Sequence, residues 1–241
     1  MPFSRRRKLP HDAVHHPWFA RLCVRLSALA EERAGVGAHR EELLAGLSGR
    51  VIEVGAGNGL NFPHYPLTVS EVVAIEPERS LRRLAVGAAL RAEVPVDVAP
   101  GAAEALPVKS EAFDAAVASL VLCSVRDLPR SLREIRRVLR PGGELRFYEH
   151  CRARGRCLAA MQRALDHTVW PLFFGGCHTG RDTLAALAEA GFEVGPYRRL
   201  RVPEHGLPLP SSAHVLGVAR RPVEDEDGGE GPVESPDAEA S

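Results

Sequence analysis

Residues 50–61 decide the fold, and they read Arg50-Val-Ile-Glu-Val-Gly-Ala-Gly-Asn-Gly-Leu-Asn61. A short β-branched run ends abruptly in a turn that contains Gly55, Gly57 and Gly59. This pattern is typical of the first parallel strand of an α/β sheet, whose carboxyl end opens onto a ligand crevice. Glycines allow the backbone to approach a ligand closely. The stretch therefore predicts a ligand site at the turn.

The spacing of the glycines distinguishes two classes of ligand. A dinucleotide-binding turn follows G-x-G-x-x-G, which would place its third glycine at position 60, where this chain has Leu60. A carboxylate, Glu53, also lies in the strand just before the turn. It would repel a pyrophosphate and attract a ligand with an ammonium and a sulfonium group. The expected ligand is therefore cationic at this point, as S-adenosylmethionine is.

A second acid follows at the end of the next predicted strand. The segment Val72-Val-Ala-Ile-Glu-Pro77 ends in Glu76, a carboxylate that can accept hydrogen bonds from both hydroxyls of a ribose. The alternative is a plain tight turn flanked by two solvated acids. The glycine turn, the internal acid and the strand-end acid occur together and in order, which favours the ligand site.

These two segments resemble the first motifs of the class I S-adenosylmethionine-dependent methyltransferases. A narrower resemblance, from about residue 50 to 220, is to the branch that includes the membrane-associated thiol S-methyltransferases of animals. It is carried by residues 98–101, 119–125 and 136–143, by Glu149-His150, and by Gly175-Gly-Cys-His178 with Arg181. The resemblance implies a doubly wound, Rossmann-like α/β fold. Its seven-stranded sheet would be mostly parallel with an antiparallel last strand, and helices would cover both faces.

Hydrophobic periodicity predicts the other elements of that fold. Helices are expected at 18–33, 39–47, 78–92, 127–139, 155–170 and 179–191, and further strands at 94–99, 113–119, 144–150, 192–201 and 211–220. The apolar segment 170–178 is expected to fold over the crevice. One domain then spans 18–221, with N-terminal helices at 18–48 and an acceptor-pocket segment at 151–180.

The two ends of the chain differ in charge. The chain has 31 basic and 31 acidic residues, yet 222–241 holds eight acids and no Lys or Arg. This composition predicts a disordered acidic tail. Residues 1–17 are expected to be irregular. Their cluster Arg5-Arg-Arg-Lys8 is compatible with nucleic acid or anionic lipid, but the spread of the other basic residues favours a solvated basic face without a nucleic-acid partner.

The expected location is the cytoplasm. No run approaches the roughly 18 apolar residues of a membrane span, and the apolar anchor of the animal proteins has no counterpart. Five cysteines without a C-x-x-C pair argue against a disulfide framework.

The resemblance places the cofactor along three loops. In the loop that would hold adenine, many relatives have an Asp where this chain has Ala102, so backbone, water or Glu104 would meet the amino group. The predicted cofactor-binding residues are Glu53, Gly55, Ala56, Gly57, Gly59, Asn61, Glu76, Pro77, Ala102, Ala103, Glu104, Ser119, Leu120 and Cys123.

Methyl transfer is an in-line displacement in which the protein mainly positions two reactants. A thiol acceptor, with a pKa of about 8.5, is already partly thiolate at pH 7 and needs little help. Amine, hydroxyl or carbon acceptors need a general base. His178, His150 and Asp166 are the candidate catalytic residues, with His178 and His150 favoured. No metal is expected, because the spacing of Cys151, Cys157, Cys177 and their histidine neighbours lacks the paired pattern of structural zinc.

The sequence thus predicts an S-adenosylmethionine-dependent methyltransferase that acts on a small, apolar molecule, with an alkyl thiol as one candidate acceptor. The alternative is C-, N- or O-methylation of a hydrophobic quinone, lipid or secondary metabolite. A third hypothesis is a non-enzymatic module that only binds the cofactor. The oligomeric state is left open.

Overall fold

The computed structural model describes residues 20–22, 24, 25, 27, 35–168, 170–205 and 207–223. Within this part of the chain, seven strands form one sheet in the order β3-β2-β1-β4-β5-β7-β6. The strands are β1 (Gly49–Val54), β2 (Val69–Ile75), β3 (Val96–Ala99), β4 (Phe113–Ser119), β5 (Leu139–His150), β6 (Glu193–Arg201) and β7 (Ala213–Arg220). Strands β1 to β5 pair in parallel, and β7 is antiparallel to both β5 and β6. The predicted fold class is confirmed.

The helices are α1 (Val36–Leu44), α2 (Arg79–Ala89), α3 (Leu128–Val138), α4 (Arg156–Asp166), α5 (Trp170–Phe173) and α6 (Thr183–Glu189). Residues 20–22, 24, 25 and 27 are also helical, within the helix predicted at 18–33. The expected N-terminal segment 1–17 and all but two residues of the expected tail 222–241 lie outside the described residues. No helix among those described is long and apolar enough to cross a bilayer.

The core lies on both faces of the sheet, because successive side chains of a strand point to opposite sides. Ile52 and Val54 pack on one face, together with Leu132 of α3 and Leu187 of α6. Val51 packs on the other face, where the core includes Leu43 and Leu44 of α1 and Ala85 of α2. Burying each such aliphatic side chain contributes about 1.5–3 kcal/mol, so this layering holds the parallel strand ends in register.

Several boundaries differ from the predicted ones: α1 lies at Val36–Leu44 and not at 39–47, α6 lies at Thr183–Glu189 and not at 179–191, and β5 and α4 also differ. Strand β5 starts at Leu139, which pairs with Phe113, and residues 141–143 form an irregularity inside the strand. There Gly142 has a φ of 77°. Helix α4 ends at Asp166, four residues early, and the Asp166 carboxylate accepts hydrogen bonds from the backbone N–H groups of Thr179 and Gly180.

The segment between β5 and α6 is tied together by one buried amide, that of Gln162 on α4. Its Oε1 accepts from the Ala153 N–H at 2.8 Å, and its Nε2 lies 2.9–3.2 Å from the carbonyl oxygens of Cys151, Thr179 and Pro210. Each of these carbonyls belongs to a different loop between helices and strands. The side chain therefore substitutes for regular secondary structure across the segment.

We predict that Gln162→Ala lowers the free energy of unfolding by about 3 kcal/mol, because several buried backbone groups lose their partner. Urea denaturation followed by circular dichroism measures this change. Met161→Ala on the same helix is the matched control, since Met161 is 42% exposed, and we expect it to cost less than about 1 kcal/mol. Equal losses in the two variants would contradict the assigned role of Gln162.

Candidate active site

The glycine turn after β1 is shaped by close packing at two positions and by open space at a third. A Cβ on Gly55 would lie 2.3 Å from Val121, and a Cβ on Gly59 would lie 2.7 Å from Phe62. Gly57 has a φ of 58°, yet a Cβ there would meet nothing within 4 Å. The first and third glycines therefore fit the turn to its neighbours, while the second leaves its face of the turn open.

Glu76 joins this turn to the end of β2. Its Oε2 accepts from the Gly57 N–H and its Oε1 from the Glu78 N–H, both at 2.8 Å. Burial raises the pKa of Glu76 to about 7, against the opposing effect of these two N–H donors. Each carboxylate oxygen accepts one of these bonds and retains capacity for a second. The neighbouring Pro77 is half-buried.

Glu53 is buried beneath the turn and holds the segment that follows it. Asn61 donates from Nδ2 to Glu53 Oε1 at 2.8 Å, and the Tyr65 hydroxyl donates to Oε2 at 2.7 Å. Arg40 of α1 donates to Asn61 Oδ1 at 2.6 Å and to the Ser119 hydroxyl at 3.3 Å. Burial raises the pKa of Glu53 to about 7, while Tyr65 and Asn61 oppose this rise.

Arg40 and Tyr65 are members of this network that sequence reasoning did not assign. The signal for Tyr65 was weak, because two prolines around it predict only a short, irregular helix. Arg40 had no sequence signal beyond its place in a helix. A buried arginine on α1 shows that the N-terminal helical region contributes directly to the site.

The turn after β4 is held by a third buried carboxylate, Glu149. It accepts hydrogen bonds from the backbone N–H groups of Val121, Leu122 and Cys123 at 2.9, 2.8 and 3.1 Å. Leu120, just before them, has a φ of 56°, a region that a branched side chain rarely adopts. Such strain is often found at functional sites, and here it lies at the carboxyl edge beside the glycine turn.

The loop at 100–107 borders the same edge. Ala102 and Ala105 form an isolated bridge, and Ala103 is buried. The Glu104 carboxylate turns to the start of α3, where it accepts from the N–H groups of Arg126 and Asp127 at 2.9 and 3.4 Å. In this structure Glu104 therefore supports the loop, and its contact with adenine stays a prediction.

The candidate catalytic residues lie at the other end of the crevice, beside β5. His150 Nδ1 lies 3.4 Å from Cys123 Sγ and 3.6 Å from Cys177 Sγ. The Cys123 thiol and the His150 ring lower the pKa of Cys177, although its burial opposes this. The backbone N–H of His178 donates to the Cys123 carbonyl at 2.8 Å. The loop that carries Cys177 and His178 is thereby fixed against the turn after β4.

His178 and Asp166 differ in what their side chains can do. Nδ1 of His178 lies 2.7 Å from the Gly176 carbonyl oxygen and 3.3 Å from Nη2 of Arg181; the shorter contact favours the tautomer with its proton on Nδ1 and a basic Nε2. The Asp166 carboxylate accepts from the Thr179 and Gly180 N–H groups, each at 2.8 Å. Asp166 thus holds the loop next to His178. Whether any of the three candidate residues moves a proton stays a prediction.

The order of the strands joins these parts into one crevice. Strands β2, β1, β4 and β5 are consecutive in the sheet, so their carboxyl ends present Glu76, the glycine turn, Ser119 to Cys123, and His150 in that sequence. Ligands of open α/β sheets bind along this edge. The site has a half near β2 and β1 that suits a nucleoside, and a half near β4 and β5 where an acceptor can lie.

Comparison with known proteins supports the same conclusion. Residues 52–147 match the family model described as a methyltransferase domain. The chain is 33% identical over 199 residues to the thiol S-methyltransferase TMT1A of Homo sapiens, covering 77% of this chain and 80% of that protein. It is 35% identical over 183 residues to human thiol S-methyltransferase TMT1B, covering 73% of each.

The chain belongs to the S-adenosylmethionine-dependent methyltransferases, in the branch that resembles the thiol S-methyltransferases. Solved structures agree on the fold. A methyltransferase of this class from Thermotoga maritima superposes with a TM-score of 0.61 at 21% identity, over 86% of this chain and 99% of that one. The [4+2]-cyclase SpnF superposes with a TM-score of 0.60 at 20% identity, over 79% of this chain and 81% of that one. The fold alone does not define the reaction.

The residues present fit the cofactor that this family uses. S-adenosylmethionine supplies a methyl group activated on a sulfonium. The open face of Gly57 leaves room for a nucleoside, and the free acceptor capacity of Glu76 suits two ribose hydroxyls. Glu53 adds a buried acid beneath the turn.

We predict that Gly57→Ala weakens binding of S-adenosylhomocysteine at least tenfold, because the new methyl group occupies the open face of the turn. Gly46→Ala is the matched control. Gly46 also has a positive φ, of 74°, and open space around a Cβ, but it precedes the opposite end of β1. Both variants should lose about 1–2 kcal/mol of stability. Calorimetry that finds equal affinities in the two variants would contradict the placement of the cofactor.

We also predict that affinity for S-adenosylhomocysteine falls as the pH is lowered from 8 to 6. Glu53 and Glu76, with pKa values of about 7, gain protons over this range. A protonated Glu76 is a poorer acceptor for ribose hydroxyls, and a protonated Glu53 no longer attracts the cationic groups of the ligand. At pH values below the pKa of each group, its protonation reduces the affinity by up to about tenfold per pH unit. In Glu76→Gln, affinity at pH 8 should be lower and the pH dependence shallower. An unchanged pH profile in that variant would exclude Glu76 as a source of the effect.

Proposed function

We propose that the methyl acceptor of this enzyme is a small, apolar thiol. The proposal rests on the hydrogen bonds that the two carboxylates at the acceptor end of the crevice already make. Glu149 accepts three backbone N–H groups and Asp166 accepts two, so both carboxylates serve the backbone. A thiol, partly ionised near pH 7, is the acceptor that least needs a strong base.

The relatives support the same acceptor. Both human proteins reported above are thiol S-methyltransferases, and the chain covers about three quarters or more of each. The segments that resemble them include residues 119–125 and 175–178, which meet at Cys123, Cys177 and His178 in the structure. Part of the sequence that carries the resemblance thus lies where an acceptor would lie.

The apolar character of the acceptor is inferred from α5 and its neighbours. The rings of Trp170 and Phe174 stack with centroids 4.1 Å apart. Leu172 and Phe173 are 82% and 66% exposed. These side chains follow α4 and precede the loop with Cys177, so they border the acceptor half of the crevice. An apolar compound gains by covering such surface, at about 25 cal/mol per Å².

A quinol is the second candidate acceptor. The chain is 31% identical over 170 residues to the ubiquinone/menaquinone biosynthesis C-methyltransferase UbiE of Syntrophotalea carbinolica, covering 66% of this chain and 70% of that protein. Carbon methylation would require a group that accepts a proton, and the unprotonated Nε2 of His178 is the candidate for it.

We predict that a panel of acceptors with matched apolar bulk separates these cases. The panel holds an alkyl thiol, an amine, a phenol and a quinol, and transfer of labelled methyl from S-adenosylmethionine is measured at pH 7.5. Turnover is expected for the thiol, with kcat/KM at least tenfold above any other member. Labelling of the quinol alone would contradict the thiol proposal and favour carbon methylation.

Two variants make the panel specific. Gly57→Ala, which should bind the cofactor at least tenfold more weakly, is the low-activity reference when the cofactor concentration is kept below the Kd of this variant. His178→Ala tests the competing mechanism, because it should abolish quinol methylation but reduce thiol methylation only modestly. If thiol turnover in His178→Ala fell as far as in Gly57→Ala, a thiol acceptor that needs no strong base would be contradicted.

A further inference from the structure

Three potential metal ligands meet at the acceptor end of the crevice. The ligand atoms of Cys123, His150 and Cys177 all lie within 4.8 Å of one another. They come from the turn after β4, the last residue of β5 and the loop after α5. Both sulfurs face the same nitrogen, His150 Nδ1, at 3.4 and 3.6 Å. These are soft ligands of the kind that bind zinc.

The two sulfur-to-nitrogen separations match those of a tetrahedral zinc site, and the two sulfurs lie within 4.8 Å of each other. With Zn–S near 2.3 Å and Zn–N near 2.05 Å, a tetrahedral angle puts sulfur and nitrogen about 3.6 Å apart. The two observed sulfur to nitrogen distances lie within about 0.2 Å of this value. A thiol that is hydrogen-bonded to the His150 ring has a similar sulfur-to-nitrogen distance. The experiment must therefore distinguish a bound metal ion from ordinary hydrogen bonds.

We propose that Cys123 Sγ, Cys177 Sγ and His150 Nδ1 form a three-ligand site for Zn²⁺, and that the thiol acceptor occupies the fourth position. Zinc sites with three protein ligands and one open position are the catalytic type, and two cysteines with one histidine is a known ligand set. The second half of this statement rests on the proposed thiol function. The metal site itself does not.

The ligands are held in place by the surrounding backbone. Glu149 accepts from three successive N–H groups that include that of Cys123, and the His178 N–H binds the Cys123 carbonyl. These contacts fix both thiols relative to each other. His150 is paired in the sheet with His214, whose ring lies 4.6 Å from its own. Such support of ligands by their neighbours is typical of metal sites.

The charges and the chemistry are consistent with this site. Two thiolates balance the charge of Zn²⁺ in a buried position. A coordinated acceptor thiol loses its proton to solvent and binds as the thiolate. Its sulfur then forms a bond to the methyl carbon while the bond from that carbon to the sulfonium breaks, and the electron pair stays on the donor sulfur. The products are a neutral thioether, which binds zinc more weakly, and S-adenosylhomocysteine.

The first test is metal binding by the full chain, stripped with chelator and titrated with Co²⁺ as a spectroscopic substitute for Zn²⁺. We expect one equivalent to give the intense visible bands of tetrahedral Co²⁺ and a near-ultraviolet thiolate charge-transfer band. Cys123→Ser and Cys177→Ser should lose these bands and weaken Zn²⁺ binding by more than the 10- to 100-fold typical of residues that only orient ligands. Cys157→Ser, at an exposed cysteine, is the matched control.

Two outcomes would overturn the metal site. One is no tetrahedral Co²⁺ spectrum, or one that persists in both Cys123→Ser and Cys177→Ser. The other is a disulfide between these residues in protein purified under reducing conditions, seen as a mass lower by two hydrogens. Far-ultraviolet circular dichroism shows whether each variant is folded, and Cys177→Ser, which changes a loop, provides the result if Cys123→Ser does not fold.

The second test concerns the open position. Adding the alkyl thiol to the Co²⁺-loaded protein without methyl donor should shift the charge-transfer band, whereas the matched phenol should not. No shift would overturn the assignment of the acceptor to the metal. Undiminished thiol turnover by metal-free protein would do the same while leaving the proposed function intact. A normal Co²⁺ spectrum with no thiol turnover would contradict the proposed function and leave the metal site standing.

Discussion

The site depends on one repeated interaction, a buried carboxylate near the carboxyl end of a strand that accepts hydrogen bonds from a neighbouring loop. Glu53 on β1 binds Asn61 and Tyr65, Glu76 after β2 binds two backbone N–H groups, and Glu149 on β5 binds three. A buried carboxylate is costly unless it is hydrogen-bonded. The loops at this edge must therefore keep their shape for the acids to remain satisfied, and this shape forms the crevice.

The three carboxylates divide the crevice into two halves with different chemistry. Glu76 accepts from the Gly57 N–H beside the open face of the turn, and Glu53 lies buried beneath the turn. The Glu149 carboxylate instead accepts hydrogen bonds from backbone N–H groups, and these bonds position Cys123 beside His150 and Cys177. One half thus offers carboxylate and open space, and the other offers sulfur and imidazole. This division is what a two-substrate reaction requires, because the methyl donor and its acceptor must approach in line.

Much of the first half could be predicted from sequence, because its parts are contiguous. The glycine turn, Glu53 and Glu76 lie within 27 residues of chain, and strand periodicity identified the sheet around them. The second half could not be predicted in the same way. Cys123, His150 and Cys177 are separated from each other by 27 residues at each step, and they meet only because β4 and β5 are neighbours and the His178 N–H binds Cys123. Gln162 looked like an ordinary helix residue, since its partners come from three distant connections.

We propose that one crevice holds the methyl donor between Glu76 and the turn after β4, with its reacting sulfur directed to Cys123 and His150. A crystal structure of the full chain with S-adenosylhomocysteine tests this most directly. We expect both ribose hydroxyls within hydrogen-bond distance of the Glu76 carboxylate, and the homocysteine sulfur on the side of Cys123. A ribose bound away from Glu76, or a sulfur directed away from the Cys123, His150 and Cys177 cluster, would contradict it.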